Sequence, residues 1–270
     1  MITTRNQNVN GFETAFRGMR NPLESWDQSD SWFGIVKADS WDDAILEMRD
    51  LWMAADGYNE WEDMNYQEAA RWMIRAADKL EWLSENSTLY EDFDCSVRAY
   101  IGPKDMSLAQ RLIHAGADES KFLRQINVSV DITAPLYWWK EADTYKVGTT
   151  ANSTSTMHKL TSKPIEYSDF SIDNFDEDWI DIFYNIISEC EHMRKMYLQT
   201  KDRSYWRALI QLLPESYNQT RTWTANYAVL RNIYFARRNH KLDEWRDFCK
   251  WIESLPYAKE LICLEEKKGK

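Results

Sequence analysis

Only 8 glycines and 6 prolines punctuate 270 residues, and that scarcity constrains the fold more than any other feature of the chain. Tight turns between short strands draw heavily on both residue types, whereas helix interiors tolerate neither. Long helices are therefore expected and an all-β architecture is disfavoured. The periodicity agrees. Residues 41–54 and 65–83 place apolar residues at helical spacing, and Ala69, Trp72, Met73, Ala76 and Leu80 form one stripe that reads as core. Helices are also predicted over 105–115, stopped by Gly116, and over 176–200, 203–213, 226–239 and 243–254.

Strands are few. Residues 121–134 alternate Ile126, Val128, Val130 and Ile132 and end at Pro135, and 220–225 is a second β-rich run. Between them an aromatic helix over 136–146 leads into a polar stretch, 147–158, dense in hydroxyl and amide side chains. Helices, a few strands, then helices define an α+β fold. No internal repeat, low-complexity block or linker divides the chain, so one continuous domain is expected, with residues 1–100 as an N-terminal helical elaboration of a core spanning 101–270.

The 33 Lys and Arg against 44 Asp and Glu give a net charge of −11, which repels a phosphate backbone and argues against long nucleic acid as a partner. Cys95, Cys190, Cys249 and Cys263 are scattered without a C-x-x-C pair, so neither a zinc knuckle nor a redox dithiol is written locally. His114, His158, His192 and His240 show no ligand spacing with them, and no metal is assigned. Met1 is followed by a polar run, and charges interrupt every hydrophobic stretch well short of a membrane span. A soluble protein of the reducing cytoplasm is expected.

Two segments could carry chemistry. In 147–158, Asn152, Ser155 and His158 stand at i, i+3 and i+6, so a helical turn would project them together beside Lys140 and Lys146 as an anion cradle suited to a phosphate monoester. The alternative is a loop whose hydroxyls bond their own backbone. In 213–238, a helix beginning near Asn226 would align Asn226, Leu230, Ile233 and Arg237 on one face, with an amide and a guanidinium flanking an apolar floor for a flat aromatic ligand. Its alternative is a surface helix with Arg231, Arg237 and Arg238 in solvent.

The second segment resembles the C-terminal signature of the flavin-dependent thymidylate synthases, L-P-x-S, then W-T-x-N and a helix ending in Leu-Arg. The matching residues are Leu213-Pro214-Glu215-Ser216-Tyr217, Trp223-Thr224-Ala225-Asn226, Leu230, Arg237 and Asp243-Glu244-Trp245. The family's other motif, R-H-R-x-x-S-x-N-E-x-S-x-R-Y, is similar in a degenerate way to Thr144-Tyr145-Lys146 followed by Asn152 through His158. The resemblance covers roughly 104–254.

The resemblance implies a central mixed sheet with long flanking helices and a homotetramer with active sites between subunits. It implies FAD as cofactor, NADPH and methylenetetrahydrofolate as co-substrates, and a pyrimidine deoxynucleotide monophosphate, dUMP or a close relative such as dCMP, methylated at C5. Residue by residue, Arg237 matches the arginine that binds the pyrimidine and stabilises charge on its carbonyl edge. Asn226 and Asn232 match amides at the flavin, and Thr144, Tyr145 and Lys146 the triplet that touches flavin and nucleotide. Glu141 matches a glutamine beside the phosphate, Ser155 a serine near it, and Asn152 and Ser153 neighbouring substrate contacts. Ser153 stands where the family has glutamate, and Met157, Ala228 and Ile210 where it has arginines. Lys140, Lys146, Arg203, Arg207 and Arg20 are the candidates to supply that charge. The alternative function is a nucleotide-binding or scaffold protein that keeps the fold without the chemistry.

Overall fold

The computed structural model describes residues 2–37, 96–173 and 175–265. The helices expected over 41–54 and 65–83, with their Trp/Met stripe, and Cys95 lie outside the described residues. Two compact units are formed, Met1–Asn8 with Val128–Ile252 and Val9–Asn127 with Glu253–Lys270.

The first unit is built on a four-stranded sheet ordered β1 (Thr3–Asn10), β4 (Asn127–Pro135), β6 (Asn218–Asn226) and β5 (Thr150–Ser153). The expected mixed sheet is instead antiparallel. Thr133 and Thr220 share a hydrogen bond at 2.7 Å while Asp131 accepts from Thr222 at 2.5 Å, so β4 and β6 run in opposite directions. β5 pairs antiparallel with β6, Thr150 facing Thr224 and Ser153 facing Arg221. Such pairing needs no crossover helix between neighbours and lets one face meet water. On β4 that choice is explicit. Val128, Val130, Ile132 and Ala134 are at most 1% exposed, while the intervening Asp131 caps the polar face by accepting from Thr222 and Asn6.

The alternation predicted for 121–134 is thus real from Asn127 onward, but Ser120–Gln125 winds as a 3₁₀ helix that buries Phe122 and Leu123. Pro135 ends β4 and, with φ −66°, caps the next helix, α3 (Leu136–Ala142). The orphan N–H groups of Leu136 and Tyr137 are satisfied by the carbonyls of Tyr217 and Glu215, which fixes the start of this helix against the Leu213–Tyr217 segment. α3 stops at Ala142 rather than at 146, since the N–H groups of Asp143, Thr144 and Tyr145 close turns that are not continued. Beneath it Trp138, Trp139, Trp223, Trp245 and Phe248 pack edge to face, except that Trp138 and Trp245 meet at a tilt.

Two long helices complete this unit, α4 (Glu177–Thr200) and α5 (Arg203–Leu212). Asp176 and Asp202 cap them by accepting from Trp179 N–H and Ser204 N–H. Phe183, Ile187, Cys190 and Leu209 bury their facing sides against Leu160, Ile165 and Phe170. The last helices are α6 (Tyr227–Arg237) and α7 (Asp243–Glu253), within two residues of their sequence expectations.

In the second unit α1 (Phe12–Arg20) sends Phe12, Phe16 and Met19 into a core shared with Phe122, Leu123 and Tyr257. α2 (Pro103–Ala115) packs beside α8 (Ala258–Leu261), and a two-stranded antiparallel sheet joins β2 (Trp32–Lys37) to β3 (Ser96–Tyr100). The described part of residues 1–100 is therefore not wholly helical. It contributes a strand to the central sheet, Thr3–Asn10, which lies beside β4 with Thr4, Gln7 and Val9 half-buried.

Candidate functional site

Arg237 ends α6, where the 3.6-residue period sets it on the same side as Asn226, Leu230 and Ile233. Its guanidinium is clasped from three sides. Nε donates to the Tyr145 hydroxyl at 2.8 Å, one Nη donates to Glu141 Oε1, and the plane lies 4.8 Å from the Trp245 ring centroid and 5.5 Å from that of Tyr145. The side chain keeps 17% of its surface exposed and Glu141 keeps 30%, so the cluster is rooted in the protein and open to ligand on one side.

Glu141 is the hub. Oε2 accepts from Trp245 Nε1 at 2.6 Å, and Oε1 is also 3.5 Å from His240 Nε2. Burial works against ionisation of this carboxyl, but the Trp245 N–H and the Arg237 guanidinium outweigh it and hold the group below its ordinary value. Burial likewise opposes the charge of Arg237, and Tyr145 and Glu141 restore it. His240 Nδ1 accepts from Leu242 N–H at 3.2 Å, so the ring presents its Nε2 side to Glu141. A second arginine clamps the same turn. Arg221 lies 4.2 Å over the Trp139 ring and donates to Asp143 at 2.7 Å and to Gln219 at 3.0 Å.

Other candidate residues are placed differently from expectation. Leu230 and Ile233 are 0% and 1% exposed, so the apolar floor expected for a flat ligand is instead buried core. Asn226 is the N-cap of α6: its side-chain oxygen accepts from Val229 N–H at 3.1 Å, which leaves the amide nitrogen as its donor. Gly148, at φ +77°, sits against that amide, and a Cβ there would stand 3.1 Å from Asn226 Nδ2 and 3.0 Å from Val229. Asn232 is exposed on another side of α6, and Lys146 is exposed in the turn after α3. Thr144 turns its hydroxyl inward to the Glu141 carbonyl at 2.7 Å.

The segment 147–158 does not form the helical cradle. Asn152 and Ser153 lie on β5, opposite Thr222 and Arg221, and Ser155 closes a turn by accepting from His158 N–H at 2.9 Å. Asn152, Ser155 and His158 therefore share no helical face. Of the proposed replacement cations, Arg20 belongs to the second unit and is 4% exposed, bound to Asp105 at 2.6 Å and to the carbonyls of Ser25 and Gln28. Lys140 pairs with Glu215 at 2.7 Å on the surface. Sequence reasoning passed over His240 and the Arg221–Asp143 clamp, and no local signal marks either. Trp245 was visible as the third residue of the Asp-Glu-Trp match.

Among the described residues no group of three or more His, Cys, Asp or Glu could hold a metal ion, and no helix is long and apolar enough to cross a membrane. No protein-family model and no curated protein matches the chain. The chain is similar to two structures of thymidylate synthase X from Helicobacter pylori, both with FAD and dUMP. One is 18% identical with a TM-score of 0.48, covering 60% of this chain and 82% of that one. The other is 19% identical with a TM-score of 0.48, covering 67% and 90%.

Proposed function

We propose that the protein binds FAD and transfers a one-carbon unit to C5 of a pyrimidine deoxynucleotide, dUMP or a close relative such as dCMP, in a reaction of the thymidylate synthase type. The observation that carries this reading is the hydrogen bond from Arg237 to Tyr145. It unites, at one partly exposed point, the two sequence segments that separately resemble the family's motifs.

The donor set fits the cofactor. Carbonyl and ring-nitrogen acceptors of an isoalloxazine call for neutral donors, of which the Asn226 amide nitrogen is one, with the side-chain-free Gly148 beside it; Asn232, on another side of α6, does not converge with it on one ring. Lys146 offers an exposed cation for a phosphate. Bound FAD would supply two-electron transfer, with NADPH as reductant and methylenetetrahydrofolate as carbon donor. Arg237 binds the carbonyl edge of the pyrimidine and stabilises the negative charge that grows there as C5 becomes nucleophilic. Glu141 and Tyr145 hold the guanidinium plane at a fixed angle, so little reorganisation is needed as charge develops. Trp245 closes the rear of the site against water.

The test is the purified full-length protein. A yellow preparation that releases FAD on denaturation, and methylated product from dUMP or dCMP with NADPH and methylenetetrahydrofolate, is the expected result. A colourless protein that takes up neither FAD nor a pyrimidine nucleotide in calorimetry overturns the reading and leaves the Arg237 cluster as a structural clasp.

A further inference from the structure

Glu141 stands where the family resemblance has a glutamine, and the exchange changes what the site can accept. A glutamine amide offers a donor as well as an acceptor, whereas an ionised carboxylate only accepts. Burial opposes ionisation of Glu141, yet the Trp245 N–H and the Arg237 guanidinium hold the group below its ordinary value, so it is an acceptor at neutral pH. The resemblance puts this position beside the phosphate. In the structure the carboxylate is instead bonded to Arg237, and a phosphate monoester next to it would meet like charge.

The hydrogen-bonding capacity left over is specific. Oε1 accepts from Arg237 and faces His240 Nε2 at 3.5 Å, while Oε2 accepts from Trp245 Nε1 at 2.6 Å and retains a lone pair for a further donor. Arg237 spends one N–H on Tyr145 and one on Glu141 and keeps the others of its fork. Both side chains are partly exposed. The cluster thus presents an acceptor directly beside several donors. Pyrimidines differ on the edge that such a group would read. Cytosine carries its N4 amino donor, then N3 and O2 as acceptors, and a carboxylate is the side chain that accepts from N4. Uracil in the same seat sets its O4 carbonyl against the carboxylate and its N3–H against a guanidinium donor, two repulsive contacts.

We infer that Glu141 is a specificity-determining residue that accepts from the exocyclic amino group of the base, so that the substrate is a cytosine deoxynucleotide rather than dUMP. The inference rests on the reading of Arg237 as the group that binds the pyrimidine. Arg237 then donates to N3 and O2, and Tyr145 and Trp245 hold the two charged side chains in place beside each other.

The test is calorimetric titration of the full-length protein, supplied with FAD, with dCMP, dUMP and the deoxynucleotide of 2-pyrimidinone, which keeps N3 and O2 but lacks the amino group. dCMP is expected to bind about tenfold or more tightly than either of the others. Glu141→Gln, whose amide can turn its N–H groups toward O4, should bring dCMP and dUMP to within about twofold of each other. Circular dichroism confirms that this variant is folded, and the 2-pyrimidinone comparison needs no substitution. Binding of dUMP as tight as that of dCMP, with FAD retained, overturns this inference and leaves the flavin reading standing. Equal binding of dCMP and the 2-pyrimidinone nucleotide, or an unchanged preference in folded Glu141→Gln, shows that another residue selects the base and also overturns it. A protein that retains no FAD fails the flavin reading alone, since the same nucleotide ratios still decide this one, and a protein that binds no pyrimidine nucleotide overturns both.

Discussion

Arg237 donates from Nε to the hydroxyl of Tyr145 across 2.8 Å, joining residues 92 positions apart in the chain. If the guanidinium stabilises charge on a pyrimidine, its effect is exerted mainly in the transition state. Arg237→Ala is then expected to lower turnover by roughly 10²–10³ with flavin content unchanged. Arg237→Lys should rescue poorly, because an ammonium cannot present a planar pair of donors. Arg238, whose guanidinium stacks on Tyr234 and Phe235 instead, is the control. Equal losses in steady-state rate for Arg237→Ala and Arg238→Ala would refute the assignment.

Asn226 has two separable roles, cap and donor. Asn226→Ala should cost about 1 kcal/mol of stability through loss of the α6 cap. Asn226→Asp keeps the capping oxygen and removes the amide nitrogen, so thermal stability should be retained while FAD retention falls. Flavin content and melting temperature measured on the same two samples separate the roles. If Asn226→Asp retains FAD fully, the amide nitrogen is not a flavin contact.

Arg20 is predicted to matter for folding rather than for ligands. It is 4% exposed, its Asp105 partner 0%, and Ser29 and Ser31 complete the same carboxylate at 2.6 and 2.5 Å. Arg20→Ala strands a buried charge and should destabilise the protein by about 3–5 kcal/mol. Urea titration checks this, and a loss under about 1 kcal/mol would contradict it.

The Glu191–Arg194 link should withstand acid down to about pH 2. The Arg194 guanidinium, aided by the Ile165 N–H, pulls the Glu191 carboxyl from 4.5 down to about 2 despite partial burial. A folded-state value below the unfolded one means the stabilisation is complete above the unfolded pKa and fades as pH falls through the folded one. Wild type should therefore exceed Glu191→Gln by on the order of 1–2 kcal/mol at neutral pH, after solvent screening, with the two converging toward pH 2. A gap independent of pH would disprove the linkage.

What could be read from sequence followed from local physics. The β4 alternation survives because every second residue is buried, and α4 to α6 because amphipathic spacing agrees with the caps Asp176, Asp202 and Asn226. β5 was illegible, since Thr-Ala-Asn-Ser carries no apolar period and becomes a strand only by pairing with β6. The end of α3 at Ala142 was equally hidden: Glu141 and Asp143 are captured by Arg237 and Arg221 from distant segments. The apolar face of Leu230 and Ile233 was correctly seen and wrongly aimed, because periodicity reports a face but not what covers it. Arg237 itself stood out only through its spacing from Asn226.

The Glu141–Arg237 pair gives the candidate site an intramolecular rival to any incoming anion. A carboxylate tethered beside the guanidinium acts at an effective concentration of order millimolar or above, so a lone chloride or inorganic phosphate competes against it poorly. Only a ligand that engages several groups at once overcomes that tethered occupant. The cluster is in this sense a threshold, discriminating by the number of simultaneous contacts rather than by charge.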